Sequence, residues 1–582
     1  MSPTREAPAP SPARERSRDA AWLAAVALVL LAAALRGGFA LDDRELLGDN
    51  PVISGAAPWW TAFTRDYFGF LGGTGQWRPL SALSLRLDRS LFGDAATPYH
   101  LVNAGLHLAA VALALRWGRA LAIPPGVLRA GLTLFAVHPL LADSVVWIAG
   151  RTTLLATLAP LALGAWLLPR VAAGRSRAPE VAWVSGLATL LGLLAKEEAV
   201  IWVPTLALAV AGAAPSRGRA LLGSAALGAG LATLLVLAAR ALALGELLPT
   251  VSTPALGSAG PGERLVVGGN ALLEAARLVV LPLDHPPRFR AARLLELHTP
   301  PGPVLAGLLG WGLLLAPVAG GLLALRRGAS GATAGSALLA ALALWPLTQV
   351  LPLGEVLAPR FLHLPLLLAA PAIGVLLERL AGRRLGVATA LMVVVLGALL
   401  VQRAAVYASP ASWHGRMLVH HPDDAPTWNA LGLLHEEAGE VAEAEAAWRQ
   451  ALELDPGYSK PWSNLGRVQL ERGELEAAER SLVGAVDAGP RNAVARVNLA
   501  ALLSRRGRLE EAVARYREAT ELAPGLSPAW RGLGLALSRL ERVDEARAAL
   551  QQALALDPGD RRAQTLLERL GGPAAVEGAT GQ

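Results

Sequence analysis

Residues 428–456 read WNALGLLHEEAGEVAEAEAAWRQALELDP, and the same grammar returns every 34 residues as far as Pro558. Trp428, Trp462 and Trp530 fall at one phase, with Arg496 at the remaining place. Three residues on come Leu431, Leu465, Leu499 and Leu533, followed by Gly432, Gly466, Ala500 and Gly534. Small residues there let two helices approach too closely for a large side chain. The second half of each unit supplies Ala444, Ala478, Ala512 and Ala546, then Trp448, Leu482, Tyr516 and Leu550, then Ala451, Ala485, Ala519 and Ala553. Each unit closes at Pro456, Pro490, Pro524 or Pro558, residues that cannot continue a helix. Gly439, Gly473 and Gly507 mark the turn between the paired helices, and Glu541 stands there in the fourth unit.

This is the tetratricopeptide pattern, in phase four times. The units are 425–458, 459–492, 493–526 and 527–560, followed by a capping helix at 561–570 and a disordered tail at 571–582. Such a solenoid binds extended chains along its concave face. Asn464 and Asn498 sit 34 residues apart and so project from the same face of successive first helices. An amide both donates and accepts, which makes the pair candidate acceptor-binding residues. The plainer reading is two solvated polar side chains.

Working outward, the composition breaks near Ala425. The 582-residue chain is 53% hydrophobic, and its 17% of charged residues falls below the ~25% of a globular protein. Apolar runs recur at 20–36, 99–115, 127–142, 152–169, 181–195, 198–213, 219–244, 301–325, 333–352, 359–378 and 384–402. A hydrocarbon core about 30 Å thick takes about 20 such residues as a helix. The predicted fold class is therefore all-α: a polytopic transmembrane domain of about eleven spans, then the repeat solenoid. The domains are a cytoplasmic tail at 1–19, a multi-span domain at 20–405 with an outside loop at 41–98, a linker at 406–424, and the solenoid at 425–570.

Arginines set the orientation. Arg14, Arg16 and Arg18 precede the first run; Arg116, Arg119 and Arg129 flank the loop after the second. Arg170, Arg175 and Arg177 follow the fourth run, Arg217 and Arg219 the sixth, and Arg326–Arg327 and Arg379, Arg383 and Arg384 mark two later inside loops. Residues 268–283 carry Asn270, Glu274 and Arg277 and read as an interfacial helix rather than a crossing. The loop at 41–98 and the repeats then share the non-cytoplasmic side: outside the cell membrane of a bacterium, or in the endoplasmic reticulum of a eukaryote.

Several function classes drop out. The absence of cysteine removes disulfide frameworks and thiol nucleophiles. The net charge of +7 is what arginines beside spans produce, so it calls for no nucleic acid. Neither a phosphate-cradling P-loop nor a dinucleotide fingerprint occurs.

What stands out instead is a set of polar groups where a bilayer protein avoids them. They are Asp42–Asp43; Arg65 to Gly69 and Gln76 to Leu80; His100, Asn103 and His107 on one helical stripe; His138, Asp143 and Arg151; Lys196 to Glu198; and Arg360 to Pro365. Ionisable residues at membrane depth are costly and usually functional. Each alone has a structural reading, as a helix end, an interhelical tie or a snorkelling anchor. Two histidines with no third ligand set by sequence give no metal site.

Taken in order, these segments resemble the membrane O-mannosyltransferases that carry C-terminal tetratricopeptide repeats, within the polytopic lipid-phosphosugar glycosyltransferases of the GT-C fold. The matching pieces are Leu41-Asp42-Asp43 with Asn50; Asp66-Tyr67-Phe68-Gly69 and Arg78-Pro79-Leu80; and Pro98 to Asn103 with His107. Phe135 to Pro139 with Asp143-Ser144-Val145, Gly150-Arg151, Lys196-Glu197 and Arg360 to Pro365 complete the set. The resemblance covers residues 20–405 and the repeats. Asp143 stands where the family more often has Glu, Pro359 where it has an acid before the arginine, and His363 where it has a tyrosine.

The resemblance implies an enzyme that moves a hexose, mannose in the family, from a polyprenyl phosphate to a hydroxyl of a protein bound by the repeats. It implies the Asp42–Asp43 pair as the base; Asp42 is the expected member, with Asp43 orienting it or sharing the proton. A carboxylate at the end of a first span can reach both phases, as such a base must. The departing phosphate asks for cations, and the candidates are Arg78, Arg151, Lys196 and Arg360, with His100 and His138 as further donors. No cofactor or metal is implied beyond the lipid-linked donor. Two other readings stay open: a membrane-anchored scaffold without catalysis, and a lipid-linked sugar transferase acting on a glycan or lipid.

Overall fold

The computed structural model describes residues 11–41, 43–68, 75–214, 217–246, 256, 259–289, 294, 302–326, 331–349 and 355–571. The chain divides into two compact units, Met1–Arg416 and Met417–Gln582. Among the described residues both are built of helices, with no strand.

In the first unit the helices are α1 (Pro12–Ala34), α2 (Asp43–Gly48), α3 (Pro79–Phe92), α4 (Ala96–Ala120), α5 (Pro125–Val137), α6 (Ala142–Val145), α7 (Arg151–Ala172), α8 (Ala178–Ala195), α9 (Trp202–Ala213) and α10 (Gly218–Leu244). They continue as α11 (Pro261–Val280), α12 (Gly302–Arg326), α13 (Gly331–Ala343), α14 (His363–Ala381), α15 (Leu385–Ala404) and α16 (Pro410–His420). Each of the eleven apolar runs contains a helix among the described residues.

Seven segments are long and apolar enough to cross a membrane by themselves, and an eighth if α5 and the bent stretch Pro139–Val145 count as one. The last of the seven, Pro359–Tyr407, holds both α14 and α15, which meet at Gly382. The runs that fall short do so for a visible reason. Helices α9 and α13 have 12 and 13 residues, about 20 Å of rise, and are lengthened by 3₁₀ turns at Glu197–Ile201 and Trp345–Thr348. Helix α11 begins earlier than the expected interfacial segment and packs along α12, where Gly269 meets Gly307 and Gly310. The same device seats α5 on α14: a Cβ on Gly131 would strike the Ala370 carbonyl, and one on Gly374 the Val127 carbonyl. Without a hydrophobic drive between helices in lipid, such small-residue crossings supply the contact.

Helix ends collect on two faces. On one, Arg129 at the start of α5 reaches Glu15 at 2.9 Å and Asp19 at 2.5 Å, Arg119 at the end of α4 pairs with Asp19, and Arg170 at the end of α7 meets Glu180 at 3.0 Å. These acids explain why helix begins at Pro12, capped by Ser11, inside what reads as a tail over 1–19. On the other face the Gly38 amide donates to Tyr407 O at 2.9 Å, joining the ends of α1 and α15. The loop at 41–98 folds onto this second face. Leu46, Leu47, Val52, Ile53, Tyr67 and Leu85 form one core with Tyr99 and Ile148.

In the second unit the helix pairs are α17/α18 (Ala425–Glu437, Val441–Leu454), α19/α20 (Ser459–Glu471, Leu475–Ala488), α21/α22 (Ala493–Arg505, Leu509–Leu522) and α23/α24 (Ser527–Arg539, Val543–Leu556), closed by α25 (Arg561–Arg569). The small residues sit where the period puts them. A Cβ on Gly466 would lie 2.6 Å from Leu482 Cγ, and one on Gly534 2.7 Å from Leu550 Cγ. The inter-helix turns need the left-handed region: Gly439, Gly473 and Gly507 have φ of +80°, +79° and +77°, and Glu541 adopts it too at +61°. The segment read as a linker, 406–424, contains α16, and the boundary between the units falls inside that helix. The tail beyond residue 571 lies outside the described residues.

Candidate functional site

On the second face a cavity of about 280 Å³ opens between the ends of α1, α5, α14 and α15. Leu41, Asp143, Trp147, Pro287, Arg288, Glu355, Arg360, Tyr407 and Trp413 line it. Pro359 starts a 3₁₀ turn that presents Arg360. The guanidinium pairs with Glu355, lies 3.7 Å from Asp143 Oδ2, and covers the Trp147 ring at 5.3 Å. Glu355 also meets Arg288 at 3.5 Å. Two arginines and two carboxylates thus surround one opening, with aromatic walls.

Asp42 lies outside the described residues. Leu41 lines the cavity and takes a left-handed φ of +50°, a conformation costly for a leucine. Asp43 is fully buried, with Oδ2 accepting from the Ala40 amide at 3.0 Å and Oδ1 from the Ala149 amide at 3.3 Å. Its carboxylate therefore fastens the end of α1 to the turn before α7.

Of the expected phosphate ligands, only Arg360 lines the cavity. Arg151 is completely buried and saturated: Nε donates to Asn103 Oδ1 at 2.7 Å, Nη2 to Tyr99 O at 3.1 Å, and Nη1 to Ser84 Oγ at 3.3 Å and to Asp88. His100 places Nδ1 2.6 Å from Val146 O and Nε2 3.2 Å from Gly38 O. His138 accepts from the Leu140 amide through Nδ1 and faces Val279 O with Nε2, which fits one neutral tautomer. All three side chains are engaged in this way for one physical reason. Broken and bent helix ends leave carbonyls without partners, and side chains at membrane depth satisfy them.

Arg78 and Lys196 belong to a second cluster. Arg78 meets Glu197 Oε2 at 3.2 Å and stacks over Tyr67 at 5.8 Å. Lys196 donates to Thr153 Oγ1 at 3.0 Å and pairs with Glu198 at 2.9 Å. Burial opposes ionisation of Glu197, but Arg78, a backbone hydrogen bond and Lys196 together hold the carboxyl below its usual range. Burial likewise pulls the Lys196 ammonium down, against the pull of Glu198.

The sequence reading missed Glu355, Arg288, Trp147, Tyr407 and Trp413. An acid was sought next to Arg360, where Pro359 stands; Glu355 reaches the same guanidinium from five residues upstream. Tyr407 and Trp413 were hidden in the supposed linker. In the repeats, Asn464 Nδ2 donates to Asn429 Oδ1 at 3.1 Å and Asn498 Nδ2 to Ser463 Oγ at 3.1 Å. Each amide thus ties its first helix to the preceding one, and both side chains stay half-buried.

Tetratricopeptide-repeat family models match residues 425–458, 463–527 and 503–570. The C-terminal unit is a tetratricopeptide-repeat solenoid. Curated relatives include the Drosophila melanogaster protein O-mannosyl-transferase Tmtc2, 39% identical over 137 residues, covering 22% of this chain and 14% of that protein. Tmtc1 of the same fly is 40% identical over 146 residues, 24% of this chain and 17% of that one. Mouse (Mus musculus) TMTC2 is 35% identical over 140 residues, 23% and 16%. The matched stretch spans about a seventh of the first relative's length.

Proposed function

We propose that this chain is a membrane glycosyltransferase that moves a hexose from a polyprenyl phosphate to a hydroxyl of a protein. The observation that carries the reading is the cavity where Arg360 meets Asp143 and Glu355, Arg288 meets Glu355, and Leu41 forms part of the wall. The names of the curated relatives support it. In the reaction the bond from the anomeric carbon to the phosphate oxygen breaks, and a bond from that carbon to the acceptor oxygen forms on the opposite face. The acceptor proton passes to the Asp42 carboxylate, and the polyprenyl phosphate leaves with its added charge against Arg360 and Arg288. Arg78, Lys196, His100, His138 and Arg151 act through packing: they hold the segments that build the cavity.

The same reading places cavity and repeats on the non-cytoplasmic side. Helix α15 ends on the cavity face, where Tyr407 O meets the Gly38 amide, and the basic loops at Arg119, Arg129 and Arg170 occupy the opposite face. The repeats then receive the acceptor, with Asn464 and Asn498 stiffening the groove.

Intact-mass analysis of secreted and envelope proteins from cells with and without the gene tests this. The expected result is loss of hexose-mass increments from one or more proteins in the deletion strain, restored by wild-type protein. Unchanged glycoprotein masses, with lost assembly of an envelope complex, would favour the scaffold.

A further inference from the structure

Two side chains that line the cavity keep buried polar hydrogens without an acceptor: the Trp147 indole N–H and the Tyr407 hydroxyl. Tyr407 is 1% exposed. Folded proteins satisfy nearly all such groups, because a stranded buried donor is costly. Arg360 is held by Glu355 and Asp143 and lies against the face of the Trp147 ring, which leaves the N–H edge of the indole unengaged. Trp413 adds a third aromatic wall.

The chemistry of the two donors differs from that of the arginines beside them. A phosphate oxygen is best met by a charged guanidinium fork. A neutral N–H and a neutral O–H on flat rings suit a ligand with hydroxyls on its rim and C–H groups on its faces. We infer that Trp147 and Tyr407 recognise the sugar ring of the donor, and that Arg360 and Arg288 take its phosphate. This rests on the donor-binding reading given under Proposed function. The sugar hydroxyls accept from Trp147 Nε1 and Tyr407 Oη and so complete the two stranded donors. Selectivity follows, since a site built to pair with a hydroxyl strands its own donor when that hydroxyl is missing.

Binding of two defined lipids to the full-length protein in nanodiscs tests the inference: polyprenyl phosphate alone, and polyprenyl phosphate carrying mannose or glucose. Tyr407→Phe removes only an oxygen that has no partner among the described residues, and an unchanged unfolding midpoint certifies its fold. The expected result is about a tenfold loss of affinity for the better-bound sugar lipid and less than a twofold change for the bare phosphate. Trp147→Phe shifts the same ratio in the same direction. Equal losses on both lipids, or no loss on either, overturn the inference and leave the donor reading standing. Wild-type protein that binds neither lipid overturns the donor reading, and this inference with it.

Discussion

The two units place the weight of their architecture on different residues. In the repeats the decisive positions are small: Gly466 and Gly534 sit where any side chain would press on the partner helix, and Gly439, Gly473 and Gly507 turn the chain through a left-handed corner. In the membrane unit small residues again seat the helix crossings, but the helix ends rest on large polar side chains. His100, His138 and Arg151 reach across to backbone carbonyls at broken helix ends. Water is available at the ends of a repeat helix, so side-chain caps such as Asp424 on the Thr427 amide and Asn492 on the Ala495 amide add to solvation rather than replace it. The ends of a helix in lipid have no such recourse, and side chains must do the pairing. A polar residue at membrane depth is therefore as much a builder as a ligand.

The sharpest way to break this contrast is Arg151→Met. It strands Asp88 in the interior and releases Asn103 and Tyr99 O. Losing one partner of a buried ion pair costs about 3–5 kcal/mol. Thermal unfolding in detergent should show the membrane unit strongly destabilised, with hydrogen exchange across 425–570 unchanged. An unshifted midpoint would mean that Arg151 is free for substrate after all.

The complementary change is Gly466→Ala, which puts a methyl against Leu482. Overpacking of that kind costs about 1–3 kcal/mol. Exchange should quicken in 459–488 while unfolding of the membrane unit stays as it was. Faster exchange in neither unit would contradict the close approach of α19 and α20. Smaller still, Glu541→Gly relieves a left-handed residue at φ +61°. A gain of about 1 kcal/mol is expected for the fourth repeat, read as slower exchange over 527–556. A loss would show that the Glu541 side chain matters more than the strain of its backbone.

The same contrast explains what could be read from the chain. Repeat requirements are local and recur four times, so the phase of Gly432, Gly466 and Gly534 was visible and the helix pairs followed. Hydropathy likewise marked every long apolar run. The direction in which a polar side chain faces was not legible, because it depends on which carbonyls other segments bring to it. Nothing local distinguishes Arg360, at the cavity, from Arg151, locked among Asn103, Asp88 and Tyr99. Glu355 escaped for a related reason: a carboxylate five residues away reaches the guanidinium only once the 3₁₀ turn at Pro359 has folded. Helix α16 escaped because its eleven residues are too short and too polar to announce a packed element.

The central claim is that transfer chemistry happens at this cavity, with Asp42 as the base. Transfer rates of Asp42→Asn and Asp43→Asn, measured in the full chain with bound polyprenyl phosphate as the control for an intact site, test it most directly. The account predicts a fall of roughly 10²–10⁴-fold for Asp42→Asn, the usual worth of general-base help, with binding of the bare lipid retained. Asp43→Asn should cost less, since its oxygens accept from the Ala40 and Ala149 amides. Near-wild-type transfer by both variants, with an unchanged dependence on pH, would contradict it.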